Sequence, residues 1–259
     1  MIGDVDLITF LDFPFLVLLS SLLVLWLAVF FGGFVAARLR PVPEDGRDDL
    51  NLLTSASLTL LGLIIGFSFS MALSRFDQRK NYEEEEANAI GTEYVRADLL
   101  PAADTARVQA LLTQYLDQRL LFYTIRDPER LASVASETAK LQNEMWSIVQ
   151  NAARAQPTPP MVTVVFGMND VLNRQGYTQA AWWYRIPVGA WAMMIVLGVC
   201  CCLLVGYGSR RRGALLAIVM PFLVSISFFF IADIDSPRRG IIRVIPQNLI
   251  SLSQSLHSH

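Results

Sequence analysis

The sequence predicts an all-α integral membrane protein: four membrane-crossing helices arranged as two hairpins, with a helical extramembrane domain between them. Three observations carry this. Hydrophobic residues make up 53% of 259, and the mean hydropathy of +0.41 is too high for an ordinary water-soluble domain. Four separate runs reach the ~20 apolar residues that a spanning helix needs. More than half of the charged residues fall in 75–185, between the apolar ends.

The first run, Phe13–Leu39, has no Lys or Arg before it, only Asp4, Asp6 and Asp12. Its apolar core is too long for a secretory leader, so it reads as a retained span. Pro41, Pro43 and Gly46 mark a turn over Arg40–Asp49. The second span, Leu50–Leu73, then passes into the densely charged Ser74–Leu100 with no Pro or Gly cluster between them, which predicts one continuous helix. Two amphipathic helices follow. Asp104–Asp127 repeats Leu111, Leu112, Tyr115, Leu116 and Phe122, and Pro128–Gln156 starts on a first-turn proline and repeats Leu131, Val134, Leu141, Met145 and Ile148. Pro157-Thr158-Pro159-Pro160 breaks the pattern, and a further helix over Met161–Gln175 leads to the third span. Asn169-Asp170 and Arg174 interrupt that helix, with Asp170 and Arg174 spaced for an i,i+4 pair. Ile186–Tyr207 and Ala214–Ala232 are the last two spans, joined by Gly208–Gly213 with Arg210, Arg211 and Arg212, and Pro221 lies inside the fourth. The domains expected are 1–74, the first hairpin; 75–181, the helical domain; and 182–259, the second hairpin with its tail.

Arginines at the short loops and at the opposite span ends nearly balance, so the rule placing basic loops on the cytoplasmic side leaves the orientation open. The near-neutral charge excludes a nucleic-acid partner. Cys200, Cys201 and Cys202 are consecutive in an apolar run and read as small hydrophobes. No metal-ligand spacing, phosphate loop or nucleophile motif is present, and His257 and His259 sit in a tail expected to fray; no enzyme activity, cofactor or metal is expected.

Counted at 100° per residue, Ser55, Thr59, Gly62, Gly66, Phe69 and Ser70 share one narrow face of the second span. Gly62 and Gly66 form a small-xxx-small pair. The face is either a close helix-packing surface or a pore wall, and a pore would need several copies around an axis. Below it, Phe76, Arg79, Glu83, Glu86, Ala87, Ile90, Tyr94 and Ala97 share another face, roughly 100° away by the same count. That offset predicts a bend, or different neighbours above and below Ser74. Arg79 and Glu83 are spaced to pair, whereas Glu86 needs an arginine from elsewhere or faces an ion path. After the fourth span, Asp233, Asp235 and Arg238 form either a salt-bridge knot or a weak cation site.

GFSFSMALSRFD at 66–77, EANAIGTEYVRADLLP at 86–101 (which includes Asn88), MNDVLNRQ at 168–175 and DIDSPRRGIIRV at 233–244 together resemble the bestrophin-like bacterial membrane proteins over nearly the whole chain. The resemblance implies a distant likeness to true bestrophins, pentameric anion channels whose second helix lines the pore and whose helical domain extends it. It therefore implies a passive ion channel, anions first, built from a homo-oligomer, a pentamer in the related channels, in a bacterial inner membrane. Its partners would be the lipid bilayer, other copies of the chain and small ions. The competing reading is a non-conducting membrane scaffold or sensor whose helical domain binds a partner.

Overall fold

The computed structural model describes residues 10–38, 44–208 and 214–257, and among them every regular element is helical. The order is α1 (Pro14–Arg38), α2 (Glu44–Arg96), a 3-10 turn (Ala97–Leu99), α3 (Ala102–Thr124), α4 (Pro128–Ala155), α5 (Pro159–Trp183), α6 (Val188–Gly208), α7 (Ala214–Asp235) and α8 (Gln247–His257). Four helices are long and apolar enough to cross a membrane. The turn expected from Pro41, Pro43 and Arg40 lies outside the described residues, as do Arg210–Arg212 and His259. Helix α2 has already begun at Glu44, so Gly46 is in its first turn and not in a loop. Two further expectations are corrected. Helix α5 runs unbroken through Asn169, because Arg174 bonds Asp170 one turn back and stays inside the helical register. The tail is helical through His257.

The chain divides into two compact units. The first comprises residues up to Arg75 together with Arg185–Arg243. Here α1 packs on α6 and α7, and α6 on α7. Small residues let α1 and α6 touch backbone to backbone. A Cβ on Gly32 would stand 2.2 Å from the Leu203 carbonyl oxygen, and one on Gly206 would stand 2.1 Å from that of Val29. Leu25, Val29, Trp191, Met194 and Phe228 fill the interior, with Cys201 and Cys202 as buried free thiols and Cys200 exposed. Outward, Phe15, Leu19, Phe30, Leu63, Phe67, Val196 and Leu215 are exposed without charges among them, a surface suited to lipid and costly in water.

The second unit comprises Phe76–Tyr184 and Val244–His259. Helix α3 packs on α4 and α8, and α4 on α5. The amphipathic pattern of α4 is read out directly: Val134, Leu141, Met145, Ile148 and Val149 are buried, Pro128 opens the helix, and the Asp127 side chain accepts the Arg130 amide at 3.0 Å as its N-cap. The core gathers Ile90, Val108, Leu112, Tyr115, Leu116, Met145, Val164, Met168 and, from the chain's end, Leu249.

Candidate functional site

Helix α2 carries the residues of interest, and burial separates its faces. Leu61, Ser68, Ala72, Arg79, Glu83, Glu86, Ile90, Glu93 and Ala97 are all buried, and at 100° per residue they fall within an arc of roughly 80°. Below Ser74 this face meets α5, α8 and α3. Ser55, Thr59, Gly62, Gly66, Phe69 and Ser70 are all exposed, on a face centred about 130° from the covered one. A Cβ added at Gly62 or Gly66 would meet nothing within 4 Å. In the first unit, the helix-to-helix backbone approach through glycine is made at Gly32 and Gly206. The Thr59 hydroxyl donates to the Ser55 carbonyl at 2.9 Å, which satisfies it inside an apolar helix.

On the covered face of the second unit, successive charges meet different partners. Arg79, 1% exposed, donates through Nε to the Ala181 carbonyl at 3.2 Å and through Nη2 to that of Tyr184 at 3.5 Å. Both carbonyls belong to the C-terminal end of α5, where a cation complements the helix dipole. Glu83 does the reverse for α8: its carboxylate accepts the Leu249 amide at 2.9 Å and the Asn248 Nδ2 at 2.7 Å, in the first turn. Arg79 and Glu83, spaced to pair with each other, thus each reach a longer-range partner: the end of α5 for Arg79 and the start of α8 for Glu83. The buried partner that Glu86 requires is Arg119 on α3. Arg119 donates Nε to Oε1 and Nη2 to Oε2 at 3.4 Å, and the Thr178 hydroxyl adds a donor at 3.1 Å. Arg119 also lies over the Phe122 ring at 4.4 Å. Burial works against its charge, and the adjacent Glu86 carboxylate and buried tyrosines outweigh that, so its pKa is raised. Burial, reinforced by Glu86, raises Tyr115 and Tyr123 as well.

Off this covered face, Arg174 bridges Glu85 at 2.5 Å and Asp170 at 3.0 Å, and Tyr82 stacks on Tyr177 at 6.0 Å. Asn88 is exposed and lines a groove together with Gly91, Asn248 and Ser251.

Asp233, Asp235 and Arg238 sit in the first unit. Asp233 accepts the Ile241 and Ile242 amides at 2.6 and 2.8 Å, clasping the turn that follows α7. A Cβ on Gly240 would stand 2.2 Å from the Asp233 carbonyl oxygen, so this turn requires glycine. Asp235 accepts the Ile186 amide at 3.2 Å, while Arg185 donates to the Asp235 carbonyl at 2.5 Å and to the Asp12 carboxylate. Arg238 is half-buried beside them. The carboxylates thus serve backbone N–H groups, and no cluster of three metal-ligating side chains occurs among the described residues.

Sequence reasoning missed Arg119, Thr178, Arg185 and the Asn248–Leu249 cap. Only Arg119 left a signal, as a lone charge on the apolar face that holds Tyr115, Leu116 and Phe122.

Comparison with known proteins places this geometry. Crystal structures of a bacterial bestrophin homologue from Klebsiella pneumoniae share the fold. One substituted form superposes with a TM-score of 0.69 at 12% identity, covering 93% of this chain and 97% of that one. A second gives 0.66 at 12%, covering 93% and 98%, and a zinc-phased structure gives 0.65 at 13%, covering 93% and 96%. No curated protein matches the chain by sequence. The family model of the bestrophin-like domain matches residues 22–249, and the chain accordingly belongs to the bestrophin-like family.

Proposed function

We propose that the protein is a passive channel for small ions, formed by several copies around an axis onto which α2 turns Ser55, Thr59, Gly62, Gly66, Phe69 and Ser70. The observation that carries this reading is the uncovered state of that face: all six residues are exposed, and the two glycines have nothing of their own chain against them. A face of hydroxyls and glycines is poorly matched to lipid, whereas small residues and weak dipoles suit a narrow water-filled path. Membership of the bestrophin-like family supports the same reading and favours a bacterial inner membrane, a homo-oligomer on the pentameric pattern of true bestrophins, and anions as the conducted class. For Arg79, Glu83, Glu86 and Asn88 two roles stand, a charged pore mouth or a structural motif, and the caps and ion pair of the first three support the structural one. Exposed Asn88 is left as the residue of that group available to a pore mouth.

The test is ion flux into liposomes holding the purified full-length protein, with Gly66→Leu as the comparison. Because a Cβ added at Gly66 meets nothing within 4 Å, the protomer should fold. Flux should fall at least tenfold, and the reversal potential of the unsubstituted protein in a salt gradient reads anion against cation. Unchanged flux in the variant would overturn the pore assignment. An intact oligomer that passes no ions in either form would establish the scaffold or sensor reading instead.

A further inference from the structure

Where α2 faces α5 in the second unit, one carboxyl is held differently from its neighbours. Glu93 is fully buried, and neither of its carboxylate oxygens has a hydrogen-bond partner. It lies directly against the α5 backbone: a Cβ on Gly167 would stand 1.9 Å from Oε2, and 2.6 Å from Nη1 of Arg96. Gly167 is thus the cradle that admits the carboxyl. The surrounding charges are otherwise engaged. On α2, Glu86 holds Arg119 and Glu85 holds Arg174; on α5, Asp170 holds Arg174; at the 3-10 turn, Asp98 accepts Gln109 at 3.0 Å. Arg96, half-buried one turn along α2, is the charge left to answer Glu93.

We propose that Glu93 is a proton-binding site: the closed contact of α2 with α5 holds it as the neutral acid against Gly167, and loss of the proton drives the carboxylate toward Arg96 and water, loosening that contact. A bare carboxylate in such a place would have no donor to replace its lost hydration. Burial accordingly pushes the group up to about 8, against the smaller opposing pull of Arg96. The sign follows. The folded state keeps a proton that the unfolded chain, with a value of 4.5, has released. Stability is therefore full below about 4.5 and falls as pH rises through the window to about 8. The site acts as an alkaline release and does not depend on whether the protein conducts.

The experiment is carbon NMR of the full-length protein in detergent, carrying glutamate labelled at the side-chain carboxyl, titrated between about pH 5 and about pH 9.5. One resonance should keep the shift of a neutral acid at pH ~7, titrate with a midpoint near 8, and vanish in Glu93→Gln. Should that variant not fold, the titration in the unsubstituted protein still decides. In parallel, the unfolding temperature of the unsubstituted protein should fall across that pH window, and that of Glu93→Gln, which mimics the neutral acid, should fall much less. If every glutamate carboxyl is ionised by pH ~6, or if both proteins lose stability in parallel, the proposal is overturned.

Discussion

Replacing Arg119 with methionine tests the central tie of the second unit. The substitution keeps the aliphatic bulk between α2 and α3 and removes the guanidinium, leaving Glu86 with the Thr178 hydroxyl at 3.1 Å as its remaining donor. Both partners are sequestered, with side-chain exposures of 2% and 0%, so solvent offers no compensation. Removing one member of a buried pair costs ~3–5 kcal/mol. At about 2–4 °C per kcal/mol, the unfolding temperature in detergent should drop by roughly 6–20 °C. Glu86→Gln combined with Arg119→Met should recover part of that loss, since no uncompensated charge remains. The double-mutant cycle should return a coupling of about 1–3 kcal/mol. A shift in the single variant below about 0.5 kcal/mol, or strict additivity in the cycle, would show that Glu86 is satisfied in some other way and would refute the reasoning.

Glu83→Ala strips the first turn of α8 of its acceptor and should cost ~1–3 kcal/mol; hydrogen exchange over Gln247–His257 should rise markedly while that of α4 stays as it was. Gly206→Val drives a side chain into the Val29 carbonyl, 2.1 Å from the first added carbon, and should lose at least ~3 kcal/mol or fail to yield soluble, monodisperse protein in detergent. Gly62→Val, on the uncovered face of α2, serves as the control in the same preparation and should match the parent in thermal stability; a comparable loss there would mean that this face is packed closely, within the chain or against another copy.

The periodicities that made the helices legible are one-dimensional, and what escaped the sequence is two- or three-dimensional. Helix α2 is legible as a single rod because Leu50–Leu100 contains no Pro, yet apolar spacing alone starts it at Leu50, six residues late. Glu44 and Asp45 look like loop residues, although acids are favoured in a helix's first turn. Helix α8 was missed for a related reason. It lies beyond the last apolar run, is studded with serines, and its tie to the unit is Glu83, more than 160 residues away. The polar stripe of α2 was recognised as a face, but hydroxyl and glycine spacing is the same whether a neighbour covers it or not. Only the empty space around Gly62 and Gly66 distinguishes the two. The partner of Glu86 was foreseen as a kind of residue and not as a position, because an ion pair between α2 and α3 is fixed by tertiary packing.

Leu249, fully buried in the core of the second unit, comes from a segment that follows every other helix in the chain. During synthesis, Phe76–Tyr184 is made early but lacks the strut that Val244–His259 supplies, and that strut arrives only after α6 and α7 have been made. Completion of the second unit thus waits on a segment made after α7. A chain cut short at Arg243 would lack Leu249 in the core of the second unit and the Asn248 and Leu249 donors that meet Glu83.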